Sequence, residues 1–378
     1  MKRILIVTPD LEVGGVQRAL LALLRFAPAK ELNITVRVFS LGGTLERELP
    51  SGIRLEVAAD VSTLESARAG ISALLKKAGL NRVFRVAKTV YHRLGSHLTR
   101  GASARGETFD TAIAFSDGLA SWYVARRITA EEKIAFVQTD LRAAGSNPAM
   151  EAAVYACYSY IYFGSEASRT SFLQMLPAYA DKTRLLYTSL DPTLIRRAAM
   201  ENPAVAMDHS GVKIATVGRL SHEKGVKKIP GLLQRLLNDG MDVCWYVVGD
   251  GPERESLIRQ AKKLSVAEHL VMTGVQKNPY ALIARCDLYV QPSDYEGYCL
   301  ALAEARALHR PCVCCDFSGA REQLRDGIDG FVTGITEDAI YPAIQKLVQS
   351  SELRRQFSEA LEWNTDDADS RRFWMELQ

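Results

Sequence analysis

Two glutamates, Glu296 and Glu304, are separated by seven residues in the stretch SDYEGYCLALAEARAL, residues 293–308. Two nearby carboxylates suggest the acid/base pair of a sugar hydrolase, but the spacing argues otherwise. LALAEARAL is rich in strong helix formers, and EGY looks like a turn leading into it. If all the intervening residues were helical, eight steps of ~1.5 Å would set the two Cα atoms about 12 Å apart. A glycosidase pair sits roughly 5–9.5 Å apart, carboxyl to carboxyl. The two acids are better placed to hold two ends of one long ligand.

Other loops carry matching chemistry. KIATV followed by GRLSHEKG puts Arg219 and Lys224 around a turn just after a strand. One is a planar fork and the other a point charge, a combination suited to a diphosphate, although surface ion pairing is a competing use. No G-K-[ST] follows, so this is not a Walker loop. In DLEVGGVQRALLALL, Gly14 and Gly15 let the backbone approach a ligand, and Val16 opens a helix whose N-terminus favours an anion. A plain turn explains the same glycines, and GGVQRA lacks the dinucleotide-binding spacing. VVGDGPERESL forms a strand-to-helix elbow with Gly249, Gly251 and Pro252 opening the helix, again without the third fingerprint glycine. The turn Glu296-Gly297-Tyr298-Cys299 offers free N–H groups at another helix start.

These loops need strands to position them. KRILIVTP, ITVRVFSL, DTAIAFSD, EKIAFVQTD, SYIYFGS and TRLLYTS read as strands in the first half; VKIATVGRL, DVCWYVVGDG, HLVMTGV, CDLYVQPS and PCVCCDF do so in the second. Near-continuous apolar strands alternating with helical patterns imply parallel sheets covered on both faces. With 378 residues and 47% hydrophobic content, the chain is expected to form two doubly wound α/β domains, 1–198 and 210–360. Residues 199–209 are the expected linker, and the tail 361–378, with Trp363 and Trp374, is expected to pack back across the junction. Ligands of such sheets bind beyond the carboxyl ends of the strands, where the motifs fall.

Composition excludes several classes. No apolar run approaches the ~18 residues of a membrane span, and MKRILIVTPDLE reads as a buried strand rather than a signal peptide. The net charge of +3 is too small to imply nucleic acid. Seven cysteines show neither a disulfide framework nor zinc spacing; CVCC at 312–315 reads as space-filling, in a reducing cytoplasm. The only D-x-D, at 367–369, lies in the polar tail and reads as a loop or helix cap, so no metal is expected. His222 in the phosphate loop reads as solvated. Asp117, in FSDG, fits a turn cap as well as an acceptor-side role.

Between Glu65 and Glu107 there is no acidic residue, while Arg68, Lys76, Lys77, Arg82, Arg85, Lys88, Arg93, Arg100 and Arg105 alternate with apolar residues at helical spacing. This basic segment, 68–105, suits either a solvated helix or docking on an anionic membrane surface, at about 1 kcal/mol per basic contact.

Taken together, Arg219 and Lys224, the Gly-Pro elbow and the paired glutamates resemble retaining glycosyltransferases of family 4 with the GT-B fold, two Rossmann-like domains facing each other across a cleft. The resemblance is strong over 212–335, weakest over 60–110 and in the tail, and points to the capsular and lipopolysaccharide branch. It implies a nucleoside diphosphate sugar as donor, a glycan or lipid-linked acceptor, and no cofactor. It further implies that Arg219 and Lys224 hold the diphosphate, Glu304 binds the ribose and Glu296 lies against the sugar. Gly297, Tyr298, Cys299 and Leu300 would offer backbone groups to sugar and phosphate, with Gly14 and Gly15 closing from the first domain and the base near Val275. Arg219, Lys224 and Glu296 are thus the catalytic candidates. Two residues depart from the pattern. Gln138 stands where many relatives place a histidine, and Cys299 replaces a glycine, which matters only if that position needs positive φ. A nucleotide-sugar epimerase or hydrolase of the same architecture, or a non-catalytic nucleotide-sugar-binding subunit, are the competing readings.

Reversing the charge at Lys76, Lys77, Arg82 and Arg85 is expected to release the protein from anionic liposomes in a sedimentation assay. Unchanged sedimentation would reduce the segment to a solvated helix.

Overall fold

The computed structural model describes residues 1–58, 107–362 and 367–378. The basic segment 68–105, with its expected membrane docking, and Trp363 lie outside the described residues.

The chain forms two compact units: Met1–Gly164 with Arg169–Tyr187 and Ala368–Gln378, and Ser165–Ser168 with Thr188–Asp367. The division falls at Tyr187/Thr188, so the stretch 199–209 lies inside the second unit. The helix Pro192–Ala199 explains why: its Ile195 and Ala199 belong to the same apolar cluster as Ile214, Leu232 and Trp245.

The first unit holds seven strands: β1 (Arg3–Thr8), β2 (Asn33–Val38), β3 (Arg54–Val57), β4 (Thr108–Ala114), β5 (Thr129–Val137), β6 (Tyr160–Phe163) and β7 (Thr183–Leu185). Their order is β3-β2-β1-β4-β5-β6-β7, every pair parallel. Ile4, Leu5, Ile6 and Val7 are each 0% exposed, because helices cover both faces of a parallel sheet. The chain runs outward from β1 through β2 and β3, then returns to the other side of β1 as β4. That reversal opens a crevice at the carboxyl ends of β1 and β4.

The second unit repeats this plan with β8 (Val212–Val217), β9 (Val243–Val248), β10 (Leu270–Gly274), β11 (Leu288–Gln291), β12 (Cys312–Cys315) and β13 (Gly330–Thr333), in the order β10-β9-β8-β11-β12-β13. Its strands are parallel too. The reversal here falls between β8 and β11. Cys312, Cys314 and Cys315 of β12 are fully buried, as space-filling residues should be. Burial also pushes their thiols upward, Cys312 to about 12 and Cys315 to about 11, so they stay protonated and inert.

Two strands, β3 and β13, have no counterpart in the sequence reading. Both sit at sheet edges and are only four residues long, and β3 reads R-L-E-V with no fully buried residue, so neither presents an apolar run. The C-terminal helix Ala368–Leu377 belongs to the first unit. Its Phe373 ring lies edge-on to Phe136 and Tyr162, and Trp374 Nε1 donates to the Leu23 carbonyl at 2.8 Å.

Candidate functional site

β8 and β11 are neighbours, so the loops leaving their carboxyl ends must meet. The β8 loop turns through Gly218 and Arg219, forms a short 3-10 turn at His222–Lys224, and then passes Gly225 at φ 62°, ψ 15°. This left-handed geometry costs an L side chain ~1–2 kcal/mol. Space forbids a side chain more strongly, since a Cβ on Gly225 would lie 1.9 Å from the Pro292 carbonyl oxygen of the β11 loop. The two loops are pressed together backbone to backbone. Asp294 N donates to the Glu223 carbonyl at 2.8 Å, and Lys228 Nζ donates to the Pro292 carbonyl at 2.8 Å and to the Asp294 carboxylate.

Across this junction Lys224 Nζ meets Glu296 Oε1 at 2.6 Å, with the two side chains only 21% and 10% exposed. Ser293 Oγ donates to the same oxygen at 2.8 Å. Burial alone would depress the Lys224 ammonium; attraction to Glu296 and the hydrogen bond outweigh it, so the group titrates above its ordinary value. The stability that follows from the Lys224 shift is therefore fully present as pH falls below 10.5, the unperturbed lysine value, so far as this group's own titration goes, and is lost as pH rises through the higher folded value. At neutral pH Lys224 is a fixed cation beside a fixed carboxylate.

Arg219 is different. Its side chain is 73% exposed and its nearest acid, Glu223, is 3.5 Å away, a loose pair that leaves the guanidinium able to turn toward a ligand. Glu223 itself is held below the ordinary carboxylate range: burial pushes it up, but a hydrogen bond from Ser221 and the charges of Arg219 and Lys224 prevail. His222 is exposed, 3.9 Å from Asp294.

The helix carrying Glu304 begins only at Leu300, so residues 296–299 form a turn and a helical ruler cannot be laid from Glu296 to Glu304. Glu304 is 3% exposed and accepts from Tyr280 OH at 2.9 Å. Its carboxylate is thus held by a partly buried tyrosine that the sequence reading did not single out.

Cys299 meets the condition under which replacing a glycine matters. It caps the helix Leu300–Ala307 at φ 71°, ψ 81°, so this position does require positive φ, and cysteine holds it at a cost of about 1–3 kcal/mol. Cys299 offers the helix no oxygen cap and the first turn contains no acid, so the positive end of the helix dipole is left without a negative side chain of its own. Burial, with Glu296 as neighbour, pushes the Cys299 thiol well above its usual range. Gly297 is buried, while Tyr298 and Leu300 are partly exposed. The elbow after β9 also differs slightly: its helix runs Arg254–Lys263, so Pro252 sits in the preceding turn. Val275, just past β10, is 56% exposed.

In the first unit, Gly14 caps the helix Gly15–Leu24 with extended backbone and no side-chain hydrogen bond. A Cβ on Gly15 would meet nothing within 4 Å, so packing does not demand glycine there. Gln138 and Asp117 come together at the ends of β5 and β4, where Asp117 Oδ1 accepts from Gln138 N at 3.1 Å. Asp117 is a loop-pinning acceptor in this structure. Among the described residues, no three His, Cys, Asp or Glu side chains gather as a metal site would need. Asp367 accepts from Ser189 Oγ and Asp369 pairs with Arg372. A pocket lined by Ser210, Lys213, Asp242, Asp287 and Arg354 lies at the amino ends of β8 and β9, the end of the sheet away from these loops.

With this geometry in view, known proteins give a consistent comparison. Residues 202–362 match the family model described as "Glycosyl transferases group 1". The crystal structure of Anabaena HepE in complex with UDP and glucose superposes with a TM-score of 0.70 over 100% of this chain and 99% of that one, at 17% identity. The crystal structure of WaaG, a glycosyltransferase involved in lipopolysaccharide biosynthesis, gives 0.64 over 98% and 95%, at 15% identity. The fold is GT-B, with two Rossmann-like domains. At these identities the likeness is one of fold. Among curated proteins, a Campylobacter jejuni diphospho-undecaprenol N-acetylgalactosaminyltransferase is 26% identical over 51% of this chain and 52% of its own length. The amylovoran biosynthesis glycosyltransferase AmsD of Erwinia amylovora is 26% identical over 41% of this chain and 44% of its length. The chain spans about half the length of these curated relatives or less.

Replacing Gly225 by Ala is expected to destabilise the protein by at least about 2 kcal/mol, read as a lowered urea midpoint at unchanged slope. A wild-type midpoint would show that the two loops are not in fact pressed together.

Proposed function

We propose that this chain is a retaining glycosyltransferase of the hexosyltransferase type. It moves a sugar from a nucleoside diphosphate sugar to a hydroxyl of a lipid-linked or cell-surface glycan, at the inner face of the cytoplasmic membrane and without a metal. The observation that carries this reading is the Lys224–Glu296 pair. A nearly buried cation and carboxylate are assembled where the second sheet reverses direction, within the stretch that matches the glycosyltransferase family model.

Each residue then has a task. Lys224 has two further N–H groups for diphosphate oxygens, and the exposed guanidinium of Arg219 supplies a bidentate partner. The uncapped turn Gly297–Leu300 adds backbone N–H groups. Glu296 lies against the sugar, Glu304 accepts from the ribose hydroxyls with Tyr280 fixing its carboxylate, and Val275 lies by the base. In the first domain, Gly14 and Gly15 at the helix start are assigned to donor binding in this reading. As the bond from the anomeric carbon to the diphosphate oxygen breaks, negative charge grows on the departing diphosphate, while the acceptor hydroxyl attacks from the same face and passes its proton to a leaving phosphate oxygen. Cations and N–H dipoles already in place meet that charge without reorganising, the largest source of rate in such sites.

Several named relatives support the substrate class. HepE was crystallised with UDP and glucose and with UDP-glucose. The Campylobacter relative's name carries a diphospho-undecaprenol acceptor, and the Rhizobium meliloti relative LpsE serves lipopolysaccharide core biosynthesis. No helix among the described residues is long and apolar enough to cross a membrane; this reading assigns the membrane contact to the basic segment 68–105 by its charge. Gln138, in place of a histidine, cannot take up a proton, so the scheme uses no acid/base step there.

Glu304→Ala is expected to weaken binding of bare UDP, GDP or ADP roughly tenfold or more by isothermal titration, while Glu296→Ala lowers turnover by about 10²–10³ with nucleotide affinity preserved. Equal losses from both variants refute the division of labour. Activity should survive EDTA; full dependence on added divalent cation overturns the metal-free scheme.

A further inference from the structure

β11 carries an unusual cargo for a central parallel strand. Tyr289 and Gln291, followed past Pro292 by Ser293, alternate at i, i+2 and i+4, the spacing that puts side chains on one face of a strand. They are 0%, 1% and 0% exposed. A glutamine so deeply buried must satisfy both ends of its amide. It does so in line: Tyr289 OH donates to Gln291 Oε1 at 2.5 Å, Gln291 Nε2 donates to Ser293 Oγ at 2.8 Å, and Ser293 Oγ donates to Glu296 Oε1 at 2.8 Å.

The direction of this chain matters. Serine has one hydrogen to give. With the NH₂ of Gln291 donating to it, the Ser293 hydrogen is left for Glu296. Were the amide turned over, Ser293 would give its hydrogen back to Gln291 Oε1, and its oxygen would face the carboxylate as one acceptor against another. Tyr289 sets the choice: Gln291 Oε1 at 2.5 Å outcompetes the Val217 carbonyl at 3.4 Å for the phenolic hydrogen. Burial holds that phenol far above its ordinary titration range, so the hydrogen is there at any working pH.

We propose that Gln291 is a positioning residue for Glu296: the Tyr289–Gln291–Ser293 chain delivers one hydrogen-bond donor to Glu296 Oε1, which together with Lys224 saturates that oxygen and turns Oε2 to the sugar. The inference rests on the transferase reading of Glu296 and deepens it. It makes the carboxylate's orientation a property of the strand interior rather than of the exposed turn. It also separates two jobs in one site: Lys224 sets the charge beside Glu296, and Gln291 sets the angle at which the carboxylate is presented.

The test is a double-mutant cycle of Gln291→Leu and Ser293→Ala, with release of nucleoside diphosphate measured from UDP-glucose, UDP-N-acetylglucosamine and GDP-mannose. Each single variant is expected to lower kcat about tenfold while KM for the sugar nucleotide stays within twofold. Because the residues act in series, the double variant should lose no more than Ser293→Ala alone. Additive losses, or an unchanged kcat in Gln291→Leu, overturn the proposal. Should Gln291→Leu fail to fold, Gln291→Met, which matches the side-chain length and has no donor, takes its place in the cycle. Wild-type protein that releases nothing from any of the three donors counts against the transferase reading itself. The ligand-free crystal structure of Gln291→Leu then decides the positioning role. A Glu296 carboxylate that has left its place between Lys224 and Ser293 upholds it, and an unmoved carboxylate overturns it.

Discussion

The structure of the second domain turns on one ion pair at one topological point. Lys224 and Glu296 stand 72 residues apart in sequence and 2.6 Å apart in space. They meet because the sheet order places β8 beside β11, so the loops that leave those strands emerge side by side. Neither charge is stable alone in such a setting. Each is mostly withdrawn from water, and an unpaired ammonium or carboxylate there would be strongly disfavoured. The pair is kept by what surrounds it: the Gly225–Pro292 contact below, the Asp294–Glu223 and Lys228–Asp294 links beside it, and the hydrogen-bond chain from Tyr289 behind it.

The same site combines rigidity with freedom in a way that fits group transfer. Lys224, Glu296 and Glu304 are held by close, largely withdrawn partners, whereas Arg219 reaches into solvent with a loose partner. Fixed groups suit the reacting end of a ligand, where reorganisation would cost rate. In the proposed reaction, a solvated arm suits capture of a diphosphate that must also leave. The strain at Cys299 belongs to this pattern. A non-glycine residue in the left-handed region sits at the start of the helix whose N–H groups face the site.

Much of the fold was legible in the sequence. Apolar runs such as ILIV, IAFV and WYVV can only be strands buried on both faces, and their alternation with helices implies doubly wound sheets. The edge strands β3 and β13 escaped because an edge strand needs no apolar run. The domain division escaped because Pro192–Ala199 is amphipathic in the ordinary way, and only packing shows which core its apolar face joins. Arg219, Lys224, Glu296 and Glu304 were legible as residue types after strands. Their pairing was not, since no local pattern says which two loops of a parallel sheet will meet. Tyr280 and the Tyr289–Gln291–Ser293 chain left a fainter signal: a glutamine inside LYVQPS is out of place in an apolar strand, and its neighbours at i−2 and i+2 can both hydrogen-bond. Cys299 was weighed at the right position, but its backbone angle can only be seen in the structure.

The contact between Gly225 and Pro292 has a consequence for anyone who rebuilds this protein. Where a Cβ would come within 1.9 Å of a carbonyl, two segments share a single surface with no slack between them. Residues 218–228 and 292–299 therefore form one cassette. Grafting either half from a relative without its mate should misfit, whereas exchanging both together should transplant cleanly.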